Sequence, residues 1–163
     1  MPKVTRLGVF AYVLALGVVA LDQLSKYWIL FVYDLPGKVA VEVSPIFSLS
    51  MVWNRGVSFG LFRSPDGQEL IRWLLAAFSA AVAVGLIVWA RRLGRPLLSV
   101  AIGLIIGGAV GNLIDRVRWG AVADFLNFSG LHFPWVFNVA DSAITVGVAL
   151  LLLDSLRTAP KSA

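Results

Sequence analysis

The sequence contains no cysteine and a single histidine, His132. The first absence excludes disulfides, thiolate nucleophiles and cysteine metal sites. The second leaves no multi-histidine zinc site and would force any Ser-His-Asp triad through His132. Charge is scarce as well: Asp, Glu, Lys and Arg make up 14% of the 163 residues, against about 25% in soluble domains. Apolar residues reach 59% and the mean hydropathy is +0.86. So few charges do not cover that much apolar surface in water, and the same figures exclude disorder. The solvent that suits this chain is a bilayer, and its length suits one domain.

Four stretches are nearly free of charge: Leu7–Leu21, Trp73–Ala90, Leu97–Ile114 and Val136–Leu153, the last broken only by Asp141. Eighteen helical residues span about 27 Å, close to the hydrocarbon thickness of a membrane. Leu7–Leu21 is short alone and reaches spanning length if its helix runs on to Trp28. The predicted architecture is mainly α: a four-transmembrane-helix bundle in a single integral membrane domain covering 1–163. Its spans are near 7–28, 71–90, 97–115 and 137–156. A competing reading takes Lys3 and Arg6, the first apolar run and Val18-Val19-Ala20 as a cleavable signal peptide; three spans would remain.

Charge sets the topology. The termini and the second-to-third connection carry seven basic residues against Asp154 alone, a balance of +6. The opposite side carries seven against eight acids, a balance of −1. The positive-inside rule then puts both termini in the cytoplasm. The basic residues are topology signals and do not point to nucleic acid. Segments 29–70 and 116–136 lie outside. In the first, Val39–Val43 and Ile46–Val52 read as short strands turning at Ser44-Pro45. The second holds Trp119, Phe125, Phe128, Phe133 and Trp135, which suit the headgroup level. Thr158–Ala163 is expected to be a disordered tail.

Ionisable groups at membrane depth are costly and therefore candidate sites. Asp22 and Lys26, Asn54, Asn112 with Asp115 and Arg116, Asp124, and Asn138 with Asp141 all fall at outer span ends or in outer segments. Asp22 and Lys26 share a helix face; an interfacial ion pair that ends the span is the simpler reading, support for a nearby site the other. Ser25 and Lys26 are poor as a nucleophile and base, since helix neighbours point about 100° apart. Asn112, Asp115 and Arg116 share one face. Gly103, Gly107 and Gly111 recur every fourth residue and suit close helix packing. Asn138 fits an N-cap with Asp141 in the first turn.

These separate explanations do not say why five segments deliver polar groups to one depth. Two carboxylates in a partly dry site share one proton, the apparatus of aspartic proteolysis. Asp124, flanked by apolar residues, and Asp141 are the chosen pair. Asp115 competes, but Arg116 beside it is a ready partner that would keep it ionised.

Five motifs then align in order: Asp22-x-x-Ser25-Lys26, Asn54-x-Gly56-x-x-Phe59, Gly111-Asn112-x-x-Asp115-Arg116, Val122-x-Asp124-Phe125 and Phe137-Asn138-x-Ala140-Asp141. In this the chain resembles the bacterial lipoprotein signal peptidases, or signal peptidase II, over nearly its whole length. The resemblance implies an aspartyl endopeptidase of the bacterial cytoplasmic membrane. It would cut prolipoproteins just before a diacylglyceryl-modified cysteine, with no metal or other cofactor. It implies Asp124 and Asp141 as the catalytic pair. Asn54, Gly56, Asn112, Arg116 and Asn138 would line or support the site, and Asp22, Lys26 and Asp115 would support it. It also implies a small extracytoplasmic β-sheet cradle for the substrate, in keeping with the strands read within 39–62. The expected partners are lipid-modified prolipoprotein and membrane lipid, with the chain acting as a monomer. The competing function is a small proton-coupled transporter or channel subunit, which would carry its acids near the bilayer midplane. A non-enzymatic scaffold leaves the polar cluster without a purpose, and a presenilin-like protease lacks its Gly-x-Gly-Asp signature here.

Overall fold

The computed structural model describes residues 3–56 and 65–158. Phe59 of the second motif, the end of the segment read as a cradle, and the tail after Thr158 lie outside the described residues. Helix α1 spans Arg6–Tyr27, α2 is a single turn at Leu35–Lys38, α3 spans Pro65–Ala90, α4 Pro96–Trp119 and α5 Val139–Thr158. Four of these helices are long and apolar enough to cross a membrane, as the hydropathy pattern predicts.

The helices overrun the predicted spans at most ends. Beyond Tyr27, α1 continues as a π-helical turn, Trp28–Val32, so Asp22 and Lys26 sit inside a continuous rod and do not end a span. The tail of that rod is aromatic and apolar, which suits an interface. The fourth membrane-length helix, α5, starts later than predicted, at Val139, because Asn138 caps it.

The centre of the bundle is α4. About two-thirds of its apolar window is buried, against 17–28% on the other three. Small residues explain how neighbours get that close. A Cβ on Gly103 would fall 2.8 Å from the Ala11 carbonyl oxygen, and one on Gly107 would fall 2.5 Å from Val18 Cβ. A Cβ on Gly111 would fall 2.6 Å from Asp22 Oδ2. The predicted stripe thus faces α1. Gly108, off the stripe, lets α4 approach the Ala140 carbonyl at the start of α5. In an apolar solvent such contact, with buried hydrogen bonds, replaces the hydrophobic effect between helices. Ser99 Oγ donates to the Leu7 carbonyl at 2.6 Å and Thr5 Oγ1 to the Leu93 carbonyl at 2.9 Å. The first ties α1 to the start of α4 and the second ties its N-terminus to the α3–α4 connection.

A four-stranded antiparallel sheet, ordered β1-β2-β3-β4, lies over one end of the bundle. Strands β1 (Ala40–Ser44) and β2 (Phe47–Asn54) form the predicted hairpin. β3 (Val122–Asn127) was not expected; the segment from 116 reads in sequence as a loop, whereas α4 runs on to Trp119 before the chain turns at Gly120 (φ 76°) into the strand. Four consecutive residues of β3, Val122 to Phe125, are buried, so the alternation that marks a strand is missing. β2 and β3 pair Asn54 with Val122 and Val52 with Asp124, and a bulge lies between Leu49 and Val52. β4 is only Val136–Phe137 and leads straight into α5. Ile29, Leu35 and Phe125 form the core beneath the sheet.

If the close approach of α1 and α4 holds the bundle together, Gly107→Val should lower the melting temperature in detergent by several degrees. Gly85→Ala, where nothing lies within 4 Å, should leave it unchanged or raise it slightly. Equal melting of the two variants would contradict this packing.

Candidate active site

The polar residues singled out in the sequence come from α1, β2, α4, β3 and the start of α5, and most of them meet at the sheet-bearing end of the bundle. Asp124 stands on β3 with 1% exposure. Asn138 donates from Nδ2 to Asp124 Oδ1 at 2.7 Å, and Asn54 donates from Nδ2 to Asp124 Oδ2 at 3.0 Å. Asp141 lies in the first turn of α5. Its Oδ1 accepts from Asn112 Nδ2 at 2.8 Å and its Oδ2 from the Asn138 main-chain N–H at 3.3 Å.

Asn138 is the centre of this arrangement. Its Oδ1 accepts the Asp141 N–H at 2.9 Å while the Asp141 carboxylate accepts the Asn138 N–H, a reciprocal helix cap. Its Nδ2 faces both Asp124 and, at 3.3 Å, Asn112 Oδ1. The cap expected from sequence is therefore present, and the same side chain also connects the two carboxylates. Asn138 is fully buried, so each polar atom needs the partner it has.

Gly56 does not reach the carboxylates. Its N–H donates to Asn54 Oδ1 at 2.8 Å, which turns the Asn54 amide so that Nδ2 faces Asp124. Its φ of 81° and the side chain of Leu75 against the place of a Cβ both require glycine. Arg116 is half-buried. Its Nη1 donates to the Asn112 carbonyl at 3.4 Å, and Asp141, Asp115 and Asp124 all act on its charge.

Two expectations need correction. Asp22 and Lys26 are not an interfacial pair: both are fully buried, with Lys26 Nζ 2.8 Å from Asp22 Oδ2. Nor is Arg116 the partner of Asp115. Asp115 is fully buried and pairs with Lys26 at 2.6 Å. Snorkelling is open to neither residue of that pair. Gln23, unremarked in the sequence, joins this group by donating to Asp115 Oδ1 at 2.9 Å and to Asp22 Oδ2 at 3.1 Å. Arg72 was also missed. It caps α4, with Nε donating to the Arg116 carbonyl at 2.7 Å and Nη2 to the Val117 carbonyl at 2.9 Å. No periodicity marks either residue; only the chain crossing reveals them.

Burial is the main reason the Asp124 carboxyl is pushed up to about 6, and the negative charge of Asp141 adds to it. Hydrogen bonds from Asn54 and Asn138 and the charge of Lys26 oppose the shift. A carboxyl held this way is suited to giving or taking a proton at mild pH. Among the described residues no three His, Cys, Asp or Glu side chains converge as a metal would require.

The architecture is a membrane-helix bundle with a small sheet and a cluster of buried polar side chains at one end. The family model described as signal peptidase (SPase) II matches residues 14–157, and the chain belongs to that family of aspartic peptidases. A lipoprotein signal peptidase of Caulobacter vibrioides is 56% identical over 155 residues, 94% of this chain and 90% of that one. Another, of Methylorubrum extorquens, is 52% identical over 90% of this chain and 85% of that one. A bacterial membrane enzyme solved by the in meso method at 1.9 Å superposes with a TM-score of 0.77 at 29% identity, covering 97% of this chain and 99% of that one. The fold is thus that of a multi-pass membrane enzyme.

Removing the Asn54 donor takes stabilisation from the ionised form of Asp124, so its pKa rises. The alkaline limb of the pH–activity profile should move to higher pH in Asn54→Ala, to a degree set by one charge-assisted hydrogen bond. A limb that stays in place, or moves down, would show that Asp124 does not set it.

Proposed function

We propose that this chain is an aspartic endopeptidase of the cytoplasmic membrane that removes signal peptides from prolipoproteins, with Asp124 and Asp141 as its catalytic pair. It cuts immediately before the diacylglyceryl-modified cysteine. The observation that carries the assignment of the pair is their joint attachment to Asn138, through its side chain to one acid and its main chain to the other.

The chemistry follows from two acids sharing one proton. The ionised carboxylate takes a proton from a water lying between the acids, and the water oxygen bonds to the scissile carbonyl carbon. The protonated carboxyl gives its proton to the carbonyl oxygen, forming a neutral tetrahedral diol. Collapse breaks the C–N bond, with a proton passing to the leaving amine and one returning to the pair. Water is consumed and no other reactant is needed. Asn112 and Asn138 keep both acids aimed, and Arg116 supplies positive charge beside them.

The substrate accounts for the setting. A signal peptide is an apolar helix and its neighbouring cysteine carries two acyl chains, so both must be met inside the membrane. One apolar groove reaches Asp141, and another lies against Asn112 and Arg116. The second, of about 270 Å³, is lined by Leu75, Phe78 and Ile144 with Asn112 and Arg116. The first, of about 300 Å³, is lined by Trp135, Phe137, Thr145 and Val146 with Asp141. The charge balance favours an active site on the outer face with both termini cytoplasmic. A transporter would need polar groups along its depth; Asp154, at the far end, is paired with Arg95 at 2.9 Å.

Asp124→Asn and Asp141→Asn, each purified in detergent, should remain folded and lose cleavage of diacylglyceryl prolipoprotein by at least about a thousandfold. Wild-type turnover in either would remove that residue from the pair. A reporter fused to the C-terminus should be active only in the cytoplasm; activity only outside would invert the topology.

A further inference from the structure

Each catalytic acid is preceded by an alanine, and the main-chain N–H of each alanine is held by a buried carboxylate. Asp115 Oδ2 accepts the Ala123 N–H at 3.2 Å, next to Asp124. Asp22 Oδ1 accepts the Ala140 N–H at 2.9 Å, next to Asp141. The two carboxylates are joined by one ammonium, Lys26, at 2.6 and 2.8 Å, and by one amide, Gln23. Gln23 also donates to the Gly111 carbonyl at 3.3 Å, fixing the group to α4. Three elements, β3, α4 and α5, are thereby referred to one point on α1.

We propose that Lys26 and Gln23 are positioning residues that set the separation of Asp124 and Asp141 through the peptides of Ala123 and Ala140. No hydrogen bond joins either to Asp124 or Asp141, although the Lys26 charge also acts on Asp124. They act on the two peptide planes that aim them. An ion pair needed only for stability could lie anywhere in the bundle. This one ends at the residue before each acid, and Gln23 spans the same two carboxylates as Lys26 without contributing charge. A glycine at 111 is required because the Asp22 carboxylate occupies the space of a Cβ. A displacement of about 1 Å at a reacting pair costs up to about a hundredfold in rate. The proposal rests on the reading of Asp124 and Asp141 as the catalytic pair.

The test is steady-state cleavage of diacylglyceryl prolipoprotein by the full chain in detergent, with thermal melting of each variant alongside. Gln23→Met keeps the side-chain length and the ion group but removes the bridging amide. It should melt within a few degrees of wild type and lose about tenfold in kcat, with KM within about twofold. Lys26→Met should lose about a hundredfold or more in kcat, and Lys26→Arg should recover part of that loss. A well-folded Gln23→Met enzyme with wild-type kcat overturns the proposal, as does a loss confined to KM. Should Lys26→Met fail to fold, Gln23→Met decides alone. Asp124→Asn in the same series separates the two readings. If it cuts normally, the pair is wrong; if it is inactive while Gln23→Met is normal, only the positioning role fails.

Discussion

The structure depends on one ammonium. Lys26 is fully buried in a helix that crosses the membrane, where an unpaired charge costs several kcal/mol or more. It is tolerated because Asp22 and Asp115 both lie within 2.8 Å. The remaining acceptor capacity of the two acids is filled by polar hydrogens from Gln23, Ala123 and Ala140. Filling it requires β3 to come to α4 and α5 to come to α1. Polar chemistry at this depth and the meeting of distant segments are therefore the same requirement.

Much of this was legible in the sequence, and for physical reasons. In a bilayer the hydropathy of a span is nearly independent of its neighbours, so the four helices stand out without tertiary information. Polar residues are rare enough at such depth that each one is informative, which is why Asn112, Asp124, Asn138 and Asp141 could be singled out together. Helical spacing correctly paired Asn138 with Asp141 and Asp22 with Lys26.

What the sequence concealed depends on contacts between segments. The partner of Asp115 was sought one residue away, in Arg116, but a helix turns adjacent side chains about 100° apart. Lys26, 89 positions earlier, faces it instead. β3 escaped notice because burial erases the alternation that would mark it. Gln23 is an ordinary residue of an ordinary helix until α4 is packed against it. Gly56 matters through the amide of Asn54 alone, a role that no spacing rule encodes.

The position of the last helix has a consequence for how the enzyme is made. Asn138 and Asp141 lie at the start of α5, near the end of the chain, yet their partners are on α4, β3 and α1. Asp22 waits through 118 residues of synthesis for the Ala140 N–H. Until α5 enters the membrane, Asn112 and Asp22 each lack the partner that completes them, and only one acid of the pair has been made. Contacts so distant in sequence close last. With Asp124 and Asp141 as the proposed pair, a chain without α5 would lack one of its two acids and the cap that aims it, and would be unable to cut.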